Sequence, residues 1–206
     1  MTRYGMVIDL KNCVACHACS VACKSNNNLP NNVWFNRVVT DGGDYMDTAR
    51  GEYPNNLYRA YYPVSCQHCG SPVCVEVCPT AASYVREDGV VAIDHDLCTG
   101  CQTCMKACPY DVRTLLDDEV AYAVDFPLGD ADAPTHVGGT VVKCDFCAHR
   151  LDRGKEPACM ELCPGRARFW GDFDDPDSTV SKLIARRDYE QLKTEDGTEP
   201  RCFYLK

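Results

Sequence analysis

Apolar positions along this chain come in short segments separated by polar ones, and no apolar run approaches the length needed to cross a bilayer. YGMVID at residues 4–9 reads as a strand. SYVREDGVVAID reads as a hairpin turning at Asp88-Gly89, a pair suited to a tight primed turn. After Pro176, the stretch DSTVSKLIARRDY offers Ser178 as an N-cap and sets Val180, Leu183 and Ile184 on one face, which predicts a surface helix. Residues 24–65 and 109–143 are polar and rich in Asn, Gly and Asp; they read as loops, either docking surfaces or solvated excursions.

Composition changes this picture of an ordinary small mixed chain. Of 206 residues 17 are cysteine, a density that means disulfides in a secreted domain or metal in a reducing compartment. MTRYGMVIDLKNC has no positive region followed by an apolar stretch and a cleavage site, so no signal peptide is expected and metal ligation is favoured. The formal charge of -9 argues against nucleic acid, which needs a basic stripe. Proteins are the expected partners. With 45% hydrophobic residues the core is modest, and the cysteines would serve as its staples.

Sixteen of the cysteines form four runs: Cys13, Cys16, Cys19, Cys23; Cys66, Cys69, Cys74, Cys78; Cys98, Cys101, Cys104, Cys108; and Cys144, Cys147, Cys159, Cys163. Adding 85 to Cys13, Cys16, Cys19, Cys23, Cys74 or Cys78 lands on another cysteine. Cys66 and Cys69 miss by seven residues, which is the extra length inside the fourth run. VIDLKNC and AIDHDLC share the lead-in Ile-Asp-x-x-x-Cys. The chain reads as a duplication, with units near 1–85 and 86–170.

CVACHACSVAC and CTGCQTCMKACP have the C-x2-C-x2-C-x3-C spacing that bacterial ferredoxins use for cubane [4Fe-4S] clusters. Three closely spaced thiolates wrap three corners of a cube, and the fourth ligates the neighbouring cluster. Short helical turns are expected after the third cysteine of each run. Pro79, Pro109 and Pro164 follow the last cysteine and would stop the chain from returning over the same cluster; Lys24 stands there in the first run. Zinc is the competing reading, but it needs neither a three-cysteine loop nor a displaced fourth ligand. CVACH also matches a haem attachment signature, which fails because the duplicate CTGCQ has Gln102 in place of His17.

Runs two and three lie only 20 residues apart and so form one compact unit, leaving runs one and four to pair. The expected ligand sets are Cys13, Cys16, Cys19 with Cys163 (cluster 1) and Cys66, Cys69, Cys74 with Cys108 (cluster 2). Cluster 3 takes Cys98, Cys101, Cys104 with Cys78, and cluster 4 takes Cys144, Cys147, Cys159 with Cys23. The expected fold class is α+β, a tandem, duplicated bacterial-ferredoxin-like fold of two two-cluster units with loop insertions. Unit A would comprise residues 1–56 and 141–206, unit B residues 57–115, and residues 116–140 an insertion loop.

CVACHACSVAC at the start and CDFCAHRLDRGKEPACMELCPGRARFWGDFDDPDS near the end make the chain resemble the iron-sulfur subunits of the dimethyl sulfoxide reductase family, over about residues 4–187. Trp170 departs from the usual residue before Gly171. Some members of that family replace a cysteine of the third run by an aromatic and carry a three-iron cluster. Here all four are present, which implies four [4Fe-4S] clusters. The resemblance implies an electron relay between a large molybdopterin catalytic subunit and either a quinone-reactive membrane anchor or a soluble carrier. It implies no catalytic residues and no small-molecule substrate in this chain. Export would ride on a partner's twin-arginine signal; otherwise the chain would be cytoplasmic. The unit of runs one and four would face the molybdenum subunit.

Two other classes compete: a free-standing polyferredoxin and a zinc-stapled scaffold. Among the remaining residues, His68, His95 and His149 are expected to bond backbone or face solvent, and Arg150, Lys155 and Arg166 to soften cluster charge or remain solvated. Tyr84, Tyr110 and Trp170 read as packing that keeps water out, residues 172–177 as a capped turn, and Cys202 as a buried or free thiol.

Overall fold

The structure is a computed structural model, and it describes residues 2–43 and 49–206. In chain order the first half contains β1 (Tyr4–Asp9), α1 (Ala18–Asn26), β2 (Arg37–Thr40), β3 (Tyr61–Val64), α2 (Val73–Glu76), β4 (Ser83–Val85) and β5 (Val91–Ile93). The second contains α3 (Thr103–Ala107), β6 (Thr114–Leu115), β7 (Val141–Val142), α4 (Ala148–Leu151), α5 (Ala158–Glu161), β8 (Arg168–Asp172), α6 (Thr179–Arg186), β9 (Tyr189–Glu190) and β10 (Cys202–Leu205).

One four-stranded sheet of order β8-β1-β10-β9 ties the two chain ends together. β1 lies at its centre, antiparallel to β8 and parallel to β10. Its side chains alternate between two buried environments. Met6 and Ile8 face the main core with Cys202 and Tyr204, while Val7 joins Val180 and Leu205 under α6. A strand covered on both faces reads as a continuous apolar run, which is why YGMVID lacks polar alternation. Gly5 is needed there, because a Cβ would come within 2.6 Å of the Arg201 carbonyl.

The helix after Pro176 forms as its sequence predicts. Ser178 caps it by accepting from the Ser181 N–H at 3.2 Å, and Val180 is fully buried. Ser178→Ala is expected to lower stability by about 1 kcal/mol, read as an earlier denaturant midpoint with unchanged iron content.

Three expectations change. The 83–93 hairpin forms, but its turn is not primed: Arg86 N–H bonds Val90 O, Gly89 N–H bonds Arg86 O, and Gly89 alone takes positive φ. That is a three-residue loop ending in a left-handed glycine, whose Cβ would also strike the Arg201 guanidinium. The short helices start at the residue before the third cysteine and carry it, instead of following it. Finally, residues 109–143 hold the antiparallel pair β6–β7, and residues 24–65 are more than loop. β2 and β3 pair within them, and Leu29, Val33, Phe35 and Val38 enter the main core; residues 44–48 of this stretch lie outside the described set.

Candidate metal centres

Three of the four runs use one backbone device. A short helix carries the third cysteine, and the N–H of the fourth bonds back three residues, Cys78 to Val75 O, Cys108 to Met105 O and Cys163 to Met160 O. Proline follows, and then a left-handed residue, Ala81, Asp111 or Arg166, returns its N–H to the carbonyl of the fourth cysteine. Proline removes a donor where no helical bond is wanted and the left-handed residue reverses the chain. The first run differs because α1 has no proline to end it. It continues through Cys23 and Lys24 to Asn26, and Asn27 N–H closes on Cys23 O.

Upstream of these helices the loops wind through further left-handed residues: Ala15 and His17, His68, Gly100 and Gln102, Phe146 and Cys147. Mixing right- and left-handed residues turns consecutive N–H groups inward, a concavity suited to anionic sulfur. Backbone N–H groups of Ser83, Val141 and Ala167 approach the sulfurs of Cys78, Cys98 and Cys163 at 3.4 Å each.

The cysteines gather in fours. Cys13, Cys16, Cys19 and Cys163 line one cavity; Cys78, Cys98, Cys101 and Cys104 line another. Burial pushes the Cys23 thiol well up, and repulsion from Cys147, Cys144 and Cys159 adds to it. Cys69 is pushed up to about 11 by burial, with Cys66, Cys74 and Cys108 adding to the shift. Burying and crowding thiolates in this way is costly unless a cationic core neutralises them.

The donor set fits iron-sulfur cubanes better than single ions. A zinc ion would draw its thiolates to within about 4 Å of one another. Among the described residues no three His, Cys, Asp or Glu side chains are placed to hold a single metal ion, although two sets of four cysteines line common cavities. Polar side chains also point at the sulfurs: Asn36 reaches Cys19 at 3.1 Å, Asn27 reaches Cys147 at 3.5 Å and Arg113 reaches Cys74 at 2.8 Å. His68 is fully buried and stacks on Phe146 at 3.6 Å; its Nδ1 accepts from Val91 N–H, and its Nε2 has no protein partner.

Pairwise contacts link the four groups in succession. Arg168 faces Cys159 and also Cys19, which links the group around Cys13 to the group around Cys144. Cys144 in turn feels Cys66, next after the effect of its own burial. Arg113 touches Cys74, and Cys104 in turn acts on its charge. Helix packing agrees, with α1 against α5 and α2 against α3. Cys16 and Cys101, in the two end groups, are exposed.

The cations singled out by sequence lie elsewhere. Arg150 is buried, but against Asp130, Glu161 and Asn26; Lys155 and Arg166 are exposed. The cations that reach sulfurs are Arg113 and Arg168, each distant in sequence from at least one cysteine it faces, and Lys143 donates to the Cys144 and Val91 carbonyls close by. His95 bonds Thr140 at 3.2 Å, while both ring nitrogens of His149 are buried without a partner. Tyr110 is buried and bonds Leu192 O and Thr198, and Trp170 packs on Tyr4 and Phe146. Tyr84 is exposed, because the short hairpin turns it outward. Cys202 is buried in β10, its Sγ 3.8 Å from the Cys66 carbonyl, and burial pushes its thiol well up.

A family model described as a 4Fe-4S dicluster domain matches residues 57–123 and 130–173. Among curated proteins the chain is 48% identical to one of Halobacterium salinarum that carries the name of a dimethyl sulfoxide reductase iron-sulfur subunit, covering 100% of this chain and 79% of that protein. It is 39% identical to the arsenate respiratory reductase iron-sulfur subunit of a Shewanella species, covering 99% and 96%. To one of the polysulfide reductase polypeptides of Wolinella succinogenes it is 38% identical, covering 98% and 94%.

Proposed function

The chain belongs to the iron-sulfur subunits of the dimethyl sulfoxide reductase family, and on that premise we propose that it carries electrons between a molybdopterin catalytic subunit and a second partner. That partner is a quinone-reactive membrane anchor or a soluble carrier. The supporting observation is that cysteines from different runs come together, two sets of four lining single cavities, in a chain that matches reductase subunits over nearly its full length. Catalysis of the substrate reaction belongs to the partner.

The cofactors are four [4Fe-4S] clusters, which supply one-electron storage and release. Cys13, Cys16, Cys19 and Cys163 hold cluster 1; Cys66, Cys69, Cys74 and Cys108 hold cluster 2. Cluster 3 is held by Cys98, Cys101, Cys104 and Cys78, and cluster 4 by Cys144, Cys147, Cys159 and Cys23. The protein's own contribution is to fix these thiolates, point N–H groups at them and keep water away. The two ferredoxin-like units are residues 1–56 with 141–206, and residues 57–115, with 116–140 inserted; the central sheet that joins both chain ends supports the first.

Anaerobically purified protein is expected to be brown and to contain about sixteen iron and about sixteen sulfide per chain. It is expected to co-purify with a large subunit. Zinc without sulfide would overturn the cofactor assignment. Full iron in a chain that never associates with a larger partner would favour the free-standing polyferredoxin.

A further inference from the structure

We propose that Arg168, Lys143 and Arg113 are junction charges, one between each successive pair of cysteine groups, that raise the electron affinity of both flanking sites together. The proposal rests on the reading of the cysteine groups as cluster sites, which iron and sulfide content tests separately.

The three residues share an unusual situation. Their exposures are 4%, 5% and 4%, and among the described residues none forms an ion pair with a carboxylate. A buried cation without a counter-charge is costly, so something anionic must face it. Arg150, the other deeply buried cation, shows the contrast: it meets Asp130 and Glu161. Arg168 and Arg113 reach cysteine sulfurs, and Lys143 donates to the Cys144 and Val91 carbonyls beside them.

Their placement is regular. Arg168 lies between the groups of Cys13 and Cys144. Its guanidinium reaches Cys159 Sγ at 3.5 Å and donates to Asn36 Oδ1 at 2.5 Å, and Asn36 donates in turn to Cys19 Sγ. Lys143 lies between the groups of Cys144 and Cys66. Its ammonium donates to Cys144 O at 2.8 Å and to Val91 O, and its charge acts on Cys74. Arg113 lies between the groups of Cys66 and Cys98, reaching Cys74 Sγ at 2.8 Å, and its charge also acts on Cys104.

The physics follows from charge alone. A cubane held by four thiolates is net negative and gains one more negative charge on reduction. Neighbouring sites therefore oppose each other's reduction, most strongly where water is excluded. A fixed cation between two sites favours the reduced form of both and leaves the difference between them nearly unchanged. One electron leaves the first site and enters the second; no bond forms or breaks, and the cation keeps its proton. Three such charges keep a row of four like-charged sites within range of one another.

The test is a redox titration of the purified complex followed by electron paramagnetic resonance. Cys16→Ser and Cys101→Ser, each altering one terminal site, identify the end couples. In Arg168→Met the couples of the groups around Cys13 and Cys144 are expected to fall, each by roughly a tenfold change in reduction equilibrium, or 59 mV for one electron. The other two couples stay in place. Arg113→Met gives the mirror pattern, and Arg168→Lys, which keeps the charge, restores most of the loss. Full iron with all four couples unmoved, or with all four displaced alike, overturns the proposal. Should Arg168→Met fail to hold iron, Arg168→Lys decides: flanking couples near the unsubstituted values support the proposal, and a tenfold fall despite the retained charge refutes it.

Discussion

Cys202→Ser protein is expected to keep its full iron and sulfide, while Cys104→Ser loses at least the iron at one cubane corner and up to about four iron atoms. Both side chains are buried cysteines, so burial cannot tell them apart. Their surroundings can. Cys104 lines a cavity with Cys78, Cys98 and Cys101, at the end of a loop made left-handed by Gly100 and Gln102. Cys202 sits in a strand, paired in register with Met6, and faces the Cys66 carbonyl with its own thiol protonated by burial. A serine hydroxyl can occupy that position and keep the bond. Iron and acid-labile sulfide assays, with the spectrum of the reduced protein, read the difference. Loss of about four iron atoms from the Cys202 variant would show the ligand assignment to be wrong.

Much of this site is legible in the sequence because ligand spacing is a local property of the chain. In the first and third runs three cysteines within seven residues cannot avoid one another, and the 85-residue repeat carries the short helices with it, and the proline from Pro79 to Pro164. The break at Lys24 is visible too, and its cause is a helix with no proline to stop it. What stays hidden depends on partners remote in sequence. CFYL at the C-terminus is four residues without a turn signal, and it becomes a strand only because β1 offers a parallel edge nearly two hundred residues away. Arg113 meets Cys74 across 39 positions, so nothing local marks it. Arg150 stands beside ligands in sequence yet turns to Asp130 and Glu161, whose charges satisfy it better than a shielded sulfur. The hairpin turn differs from its expected type because Asp88-Gly89 suits two turn types, and loop length decides between them.

In the intact complex, Cys16→Ser is expected to slow exchange with the catalytic subunit by roughly tenfold or more, the effect of a terminal couple displaced by about 59 mV or more. Cys104→Ser is expected instead to slow exchange with the quinone or soluble carrier. The two residues belong to opposite ends of the row, so each substitution interrupts a different exit. Family resemblance suggests the orientation, and the surfaces at the two ends give it a physical reason. Around the first end Val14, Val21 and Leu162 are 70%, 59% and 53% exposed, an apolar rim that a permanently bound subunit would cover. Around the other end the exposed residues beside Cys101 are Thr99, Gln102, Thr103, Lys106 and Leu97, while Tyr84 and Val85, 42% and 43% exposed, follow Ser83 in the wall of the same cavity. A more mixed surface of that kind suits a soluble carrier, which must leave after each exchange. Stopped-flow reduction from each side, comparing the two variants, separates the exits. Equal slowing on both sides in both variants would mean that the four sites do not act as a directed row. Inverted slowing would place Cys98, Cys101 and Cys104 against the catalytic subunit.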